Sequence, residues 1–292
     1  MPNFADSTLA VTGASGYLGR AVIANLQARG AKHIVAITRD PAKLTDLPPG
    51  ITVRAADFND PASLPAAFAG VDRLLVISTD QFDNRAGQQI AAIDAAEKAG
   101  VNHIAYTSIA SPYPDPLSLA ADSHFWTEAR LMASPMTWSI LRNNLYADYL
   151  LPTAQHAIGS GQLFHAAQSG RRAYVTRDDC AAAAAGALLT AEGRRVFDIS
   201  GPEALSGDDL ASLFTELSGR PVSAQSVPVE GLLAGLKQGG VPEAMAGLLA
   251  RFDTDAAKGY LGIVTGDVEE LTGRAPEAVA SFLARNQTAL AA

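Results

Sequence analysis

The sequence predicts an α/β protein: a doubly wound parallel sheet followed by a smaller C-terminal α/β annex. Short, near-continuously apolar runs alternate with helix-like stretches through residues 1–145. The first run ends in a glycine-rich turn that leads straight into a helical segment. Apolar strands of this kind imply a parallel sheet covered on both faces. Right-handed crossovers between them then wind the sheet in both directions. Residues 146–292 are less regular, and no linker-like segment sets them apart, so they are read as interleaved with the sheet.

The elements follow in order. Thr8–Thr12 is the first strand, and Leu18, Val22 and Leu26 recur at spacing four as one face of a helix over 17–29. Gly30 ends that helix. Further strands are expected at Ile34–Thr38, Thr52–Ala55, Leu74–Ser78, Ile104–Ser108 and Trp138–Leu141, with helices near 61–69, 85–99 and 122–133. Ser111–Leu119 holds three prolines and reads as a loop. In the second half, 146–158 is read as helical and Val196–Ser200 as a late strand. Ser206 caps a helix running to Ser218, and 228–262 mixes short helices with Gly-Gly and Val-Pro breaks. The alanine run 181–185 is read as a tightly packed helix.

Composition narrows the function. The chain has 292 residues and is 48% hydrophobic, enough for a large core. A net charge of −8 argues against non-specific nucleic-acid binding. The lone Cys180 cannot form an internal disulfide and is read as a small buried apolar residue, in keeping with a reducing cytoplasm. No secretory signal, no membrane span and no metal-ligand spacing are expected. A monomer or a homodimer fits equally.

The turn reads Gly13-Ala14-Ser15-Gly16-Tyr17-Leu18-Gly19. Glycines between a strand and a helix let the backbone approach a pyrophosphate, and the helix N-terminus offers free N–H groups. This points to an NAD(P)-binding Rossmann fold. At the end of the second strand an acidic residue would bind a ribose, whereas a cation would accept a 2′-phosphate. Arg39 and Lys43 stand there and favour NADPH, with NADH as the alternative, since Asp40 could pair with Arg39 or contact the ribose. Ligands sit at the carboxyl ends of such strands. Asp57 and Phe58 are therefore candidates for the adenine side, and Ser78 and Thr79 for the ribose.

The spacing Gly-x-x-Gly-x-x-Gly resembles the extended and atypical short-chain dehydrogenase/reductases. Further stretches sharpen the resemblance: TRDPAK at 38–43, HIAYTS at 103–108, HFWTEARL at 124–131 and LRNNLYADYL at 141–150. Together they are similar to the NmrA-like atypical members, and among these to the bacterial type 2 quinone oxidoreductase and triphenylmethane reductase branches. The resemblance implies hydride transfer from a nicotinamide to an electron-poor, aromatic or quinone-like small molecule, such as a quinone or a triphenylmethane or azo dye. It places Ser108 at the family's serine position, and puts His124 and Glu128 where a tyrosine and a lysine usually act, so the usual proton relay is absent or rebuilt. It marks Asn143 as a residue near carboxamide and substrate, and makes Ser108, His124 and Asn143 the catalytic candidates. Tyr106, Thr107, His124, Tyr146 and Tyr149 become pocket candidates, Tyr106 and Thr107 also on the cofactor side, with Phe164 and His165 on the far wall. Two alternatives stay open: a dinucleotide-sensing regulator without turnover, and an epimerase or carbonyl reductase, which the missing Tyr-x-x-x-Lys disfavours.

Overall fold

The computed structural model describes residues 3–81, 84–115 and 119–290. Two compact units emerge: Met1–Asn143 with Asp178–Ile199 and Asp267–Arg274, and Asn144–Arg177 with Ser200–Gly266 and Ala275–Ala292.

The first unit is built on strands β1 (Thr8–Val11), β2 (His33–Thr38), β3 (Ile51–Ala55), β4 (Arg73–Val76), β5 (His103–Ile109), β6 (Thr137–Asn143) and β8 (Arg194–Ile199). All pair in parallel in the order β3-β2-β1-β4-β5-β6-β8. Helices α1 (Tyr17–Ala28), α2 (Leu64–Phe68), α3 (Arg85–Lys98), α4 (Leu119–Met132), α6 (Arg177–Thr190) and α10 (Asp267–Thr272) complete the Rossmann-type layers. Phe68, Leu74, Ile93 and Tyr106 are completely buried in its core.

Several boundaries differ from the sequence expectation for identifiable reasons. β4 stops at Val76 because Ile77 and Ser78 turn their N–H groups to side chains. Ile77 N donates to Thr12 Oγ1 at 3.0 Å and Ser78 N to Thr107 Oγ1 at 2.9 Å. β6 is longer than Trp138–Leu141, since it is paired on both sides by β5 and β8. The helix expected from residue 122 begins at Leu119, and the expected loop is described only over 111–115. The buried stripe of α1 is Gly19, Val22, Ile23 and Leu26, while Leu18 is only half-buried.

α6 is buried all round, from Asp179 to Leu189, as expected for a helix without a polar face. Cys180 is among its buried residues. The buried Arg73 donates to the carbonyls of Leu188, Ala187 and Ala191 at 2.7, 3.1 and 2.6 Å, satisfying the helix C-terminus with a cation.

The second unit carries a two-stranded parallel sheet, β7 (Gln162–His165) with β9 (Ser223–Ser226), which the sequence reading missed. Its helices are α5 (Leu150–Ser160), α7 (Gly207–Ser218), α8 (Val229–Gln238), α9 (Glu243–Ala257), α11 (Val279–Arg285) and α12 (Gln287–Leu290). The helix expected over 146–158 starts as a 3-10 turn at Ala147–Tyr149, and α5 ends on Gly161 at φ 75°. Ser206 caps α7 as expected, in a reciprocal pair with Asp209. Leu150, Ala154, Leu210, Phe214, Phe282 and Leu283 form this unit's core. No helix among the described residues is long and apolar enough to cross a membrane.

Gly186 offers a decisive test of the α6 packing. A Cβ there would lie 2.1 Å from the Leu271 carbonyl oxygen and 3.1 Å from Arg29 Nη1. Helix propensity alone would favour alanine by about 1 kcal/mol. Overpacking against backbone opposes it by about 1–3 kcal/mol. Gly186→Ala is therefore expected to lower the unfolding free energy in urea titration, and a stabilised variant would refute this packing.

Candidate functional site

The site forms where the strand order reverses, between β1 and β4. Thr12 N donates to Leu75 O at 3.0 Å there, and the chain then turns at Gly13 with φ +61°. Glycine alone adopts that conformation without strain. Ala14 N is bonded to Ile37 O, and Ser15 Oγ accepts from Thr38 Oγ1 at 3.1 Å, so the turn is fixed to the end of β2. Gly16 caps α1 without a side-chain hydrogen bond, leaving first-turn N–H groups for a ligand.

The resulting cleft measures about 340 Å³. Of the candidate residues, Gly13, Ser15, Gly16, Tyr17 and Leu18 line it from the turn, and Arg39 from the end of β2. Asp57 and Phe58 line it after β3, and Ser78 and Thr79 after β4. Ala14 is completely buried behind the turn. Lys43 sits exposed outside the lining. Asp40 accepts from Ala42 N at 3.1 Å, so its carboxylate caps the following 3-10 turn.

A diphosphate fits this cradle. A Cβ on Gly19 would lie 2.4 Å from Gly13 O and 2.8 Å from Ala14 Cα. The space kept clear by glycine, the N–H groups of α1 and the cation at Arg39 form a donor set suited to phosphate oxygens.

Sequence reasoning missed two features. Arg20, one residue past the turn, donates through Nε to Ser15 O at 3.2 Å and forms a fork with Asp46 at 2.8 Å. Its other nitrogen reaches the Lys43 carbonyl, so it joins the turn to the Arg39–Lys43 segment. Its place next to the last glycine was the available signal. The second feature is an amide rim. Gln88 Nε2 donates to Asn59 Oδ1 at 2.6 Å and to Gln81 Oε1 at 2.8 Å, and Thr79 Oγ1 donates to Gln88 Oε1 at 2.9 Å. Only the fold brings these side chains together.

The chemistry candidates are placed differently. Tyr106 and His124 are buried and lie outside the cleft lining. Tyr106 Oη meets His124 Nδ1 at 2.6 Å, and Gln89 Nε2 donates to Tyr106 Oη at 3.0 Å and to Thr127 Oγ1 at 2.8 Å. Burial raises the Tyr106 phenol and lowers His124 to about 3. Thr107 is likewise buried and spends its hydroxyl on Ser78. Ser108 donates to Glu128 Oε1 at 2.7 Å, and Arg142 grips the same carboxylate at 3.1 and 2.7 Å. Asn143 ends β6, is buried, and its carbonyl accepts from Ala110 N at 3.0 Å. Tyr146, Tyr149, Phe164 and His165 belong to the second unit, where the two tyrosine rings stack at 6.2 Å and Arg177 lies 5.3 Å over Tyr146.

His124 yields a pH prediction. Its folded-state pKa lies far below the ordinary 6.5, first through burial and then through Arg85. The neutral ring's stabilisation is complete above about pH 6.5 and is lost as pH falls toward 3. Between about pH 6 and 4, the wild type should lose stability faster than His124→Gln, by up to about 1.4 kcal/mol per pH unit. Parallel slopes in urea titrations at several pH values would show that the histidine titrates freely.

Comparison with known proteins agrees with this geometry. A family model described as NAD(P)H-binding matches residues 13–191. Quinone oxidoreductase 2 of Escherichia coli is 42% identical over 87% of this chain and 89% of its own length. The NAD(P)H azoreductase of Xenophilus azovorans is 29% identical over 97% of this chain and 99% of its own. The crystal structure of the NADPH-dependent quinone oxidoreductase from Escherichia coli complexed with NADPH matches with TM-score 0.90 at 38% identity, covering 96% of this chain and 100% of that one. Triphenylmethane reductase of Citrobacter sp. complexed with NADP(H) matches with TM-score 0.85 at 33% identity, covering 96% and 99%. The resemblance read from the motifs therefore holds, and the chain belongs to the NAD(P)H-binding family.

Proposed function

We propose that this protein is an NADPH-dependent reductase that delivers hydride to electron-poor acceptors of the quinone or dye type. One structural observation carries the reading beyond family membership. The tyrosine, histidine and serine available for a proton relay are buried and bonded to one another or to Glu128 and Gln89. A ketone reductase needs a general acid at its reacting oxygen. A reduced quinone can take its protons from water, so an acceptor of that class is compatible with this arrangement.

In this reading Gly13, Ala14, Ser15 and Gly16 shape the turn and the first-turn N–H groups of α1 at Tyr17 and Leu18 bind the pyrophosphate, while Asp57 and Phe58 hold the adenine side. Ser78 and Thr79 follow the ribose. Arg39 binds the 2′-phosphate, Lys43 adds positive charge beside it, and Arg20 holds their segment to the turn through the Lys43 carbonyl. Thr107 fixes Ser78 from below, Tyr106 holds Gln89 in the buried layer beside it, and Asn143 orients the carboxamide and acceptor. The bound cofactor would supply the hydride, and the chain's part is orientation and exclusion of water. Residues 1–145, with the interleaved segments 178–199 and 267–274, would serve as the cofactor domain and the rest of 146–292 as the substrate side.

Steady NADPH oxidation on adding menadione or a simple benzoquinone is the expected outcome. Tight NADPH binding with no turnover across quinones and dyes would instead favour a nucleotide-sensing regulator. Arg39→Asp should raise the KM for NADPH about 10–100-fold, the equivalent of one charge-assisted hydrogen-bond set, with little change for NADH. Equal effects on both cofactors would remove Arg39 from the phosphate site.

A further inference from the structure

Arg20 is the fourth residue of α1, near the end where the helix dipole is positive. A cation there is unfavourable unless something offsets it. The side chain is only partly exposed and is held by its neighbours. Nε donates to Ser15 O at 3.2 Å, Nη1 to both carboxylate oxygens of Asp46 at 2.8 Å, and Nη2 to Lys43 O. An isolated exposed ion pair contributes little. A planar guanidinium that also serves two backbone carbonyls fixes their relative position. These bonds occupy most of its donors, and Arg20 lies outside the cleft lining. It is placed to hold the chain, not an anion.

The two carbonyls belong to the two anion-binding parts of the cleft. Ser15 is in the glycine turn, and its hydroxyl also accepts from Thr38 Oγ1 at the end of β2. Lys43 is in the 3-10 turn Pro41–Leu44, which Asp40 caps at its start and which buries Leu44. Arg20 and Asp46 secure the far end of that turn. The segment carrying Arg39 is thus tied to Ser15 twice, once through Thr38 and once through Lys43 and Arg20.

We propose that Arg20 and Asp46 are positioning residues that set the spacing between the pyrophosphate turn and Arg39, and so select adenosine nucleotides phosphorylated at both the 5′ and 2′ positions. The inference rests on the cleft being an NADPH site. A nucleotide with one phosphate engages one anion site and is indifferent to the spacing. A nucleotide with two gains from the second only where that site is already in place, because ordering a loose segment offsets the gain. Charge alone predicts the reverse for Asp46. A carboxylate near a phosphate site repels the ligand, so its removal would strengthen binding, whereas loss of the clamp weakens it.

The test is calorimetric titration of the full chain with adenosine 5′-monophosphate and adenosine 2′,5′-bisphosphate. The wild type should bind the bisphosphate at least about tenfold more tightly. Arg20→Met should weaken the bisphosphate about tenfold and Asp46→Ala about threefold, each leaving the monophosphate within about twofold. Arg20→Lys keeps the charge but cannot span the three acceptors, so it should not restore affinity. Circular dichroism checks folding, and the exposed Asp46 carries the test should the Arg20 variants fail to fold. Tighter bisphosphate binding by Asp46→Ala, or recovery in Arg20→Lys, would show that charge acts instead of spacing and overturn the proposal. A wild-type preference unchanged in every variant would overturn the clamp while leaving the NADPH reading intact. Equal wild-type affinity for the two nucleotides would remove the 2′-phosphate site, and the clamp's role with it.

Discussion

The nucleotide cleft depends on how closely the backbone at Gly19 approaches the carbonyl of Gly13. A methyl group at position 19 would stand 2.4 Å from that oxygen, well inside van der Waals contact. Without this approach α1 could not begin where it does, directly above the end of β1. Its first-turn N–H groups would then not face the cleft. Because β1 and β4 are adjacent while their connections lead to opposite edges of the sheet, the same point is where the chain leaves a space between loops. The glycine turn and the topology thus specify one location from two directions. The remaining contributors, Arg39, Asp57 and Ser78, need only stand at the ends of neighbouring strands.

This explains which parts of the structure were legible in the sequence. Parallel strands buried on both faces read as apolar runs, so β1, β2, β4, β5 and β6 were visible. Their ends were less so, because side-chain oxygens such as Thr12 Oγ1 replace ladder partners after Val76. The strand pair β7 and β9 was missed because it is short and Ser223–Ser226 is mostly polar and exposed. The cleft residues were found because strand order assigns them to loop positions. The direction of a side chain is not encoded in that way. Nothing in HIAYTS distinguishes a tyrosine facing a ligand from one buried against His124, and the structure places Tyr106 in the second situation.

The buried polar groups beneath the cleft invite a functional reading, but their energetics favour a structural one. Glu128 is 4% exposed at its side chain, and removing a carboxylate from water is unfavourable by several kcal/mol. Arg142 and Ser108 offset this by occupying its oxygens. The three residues come from α4, β6 and β5, so the carboxylate ties a helix to two adjacent strands. Were Glu128 to exchange protons during turnover, it would surrender the charge that holds Arg142 and Ser108 in place. A group that anchors three elements is poorly suited to a changing charge state. His124 is constrained in the same way, since its neutral form alone suits full burial against Tyr106. Through Glu128, α4 is tied to both β5 and β6. In the function proposed, catalysis rests on the juxtaposition of cofactor and acceptor, a division of labour open to acceptors that take a hydride from the nicotinamide and their protons from water.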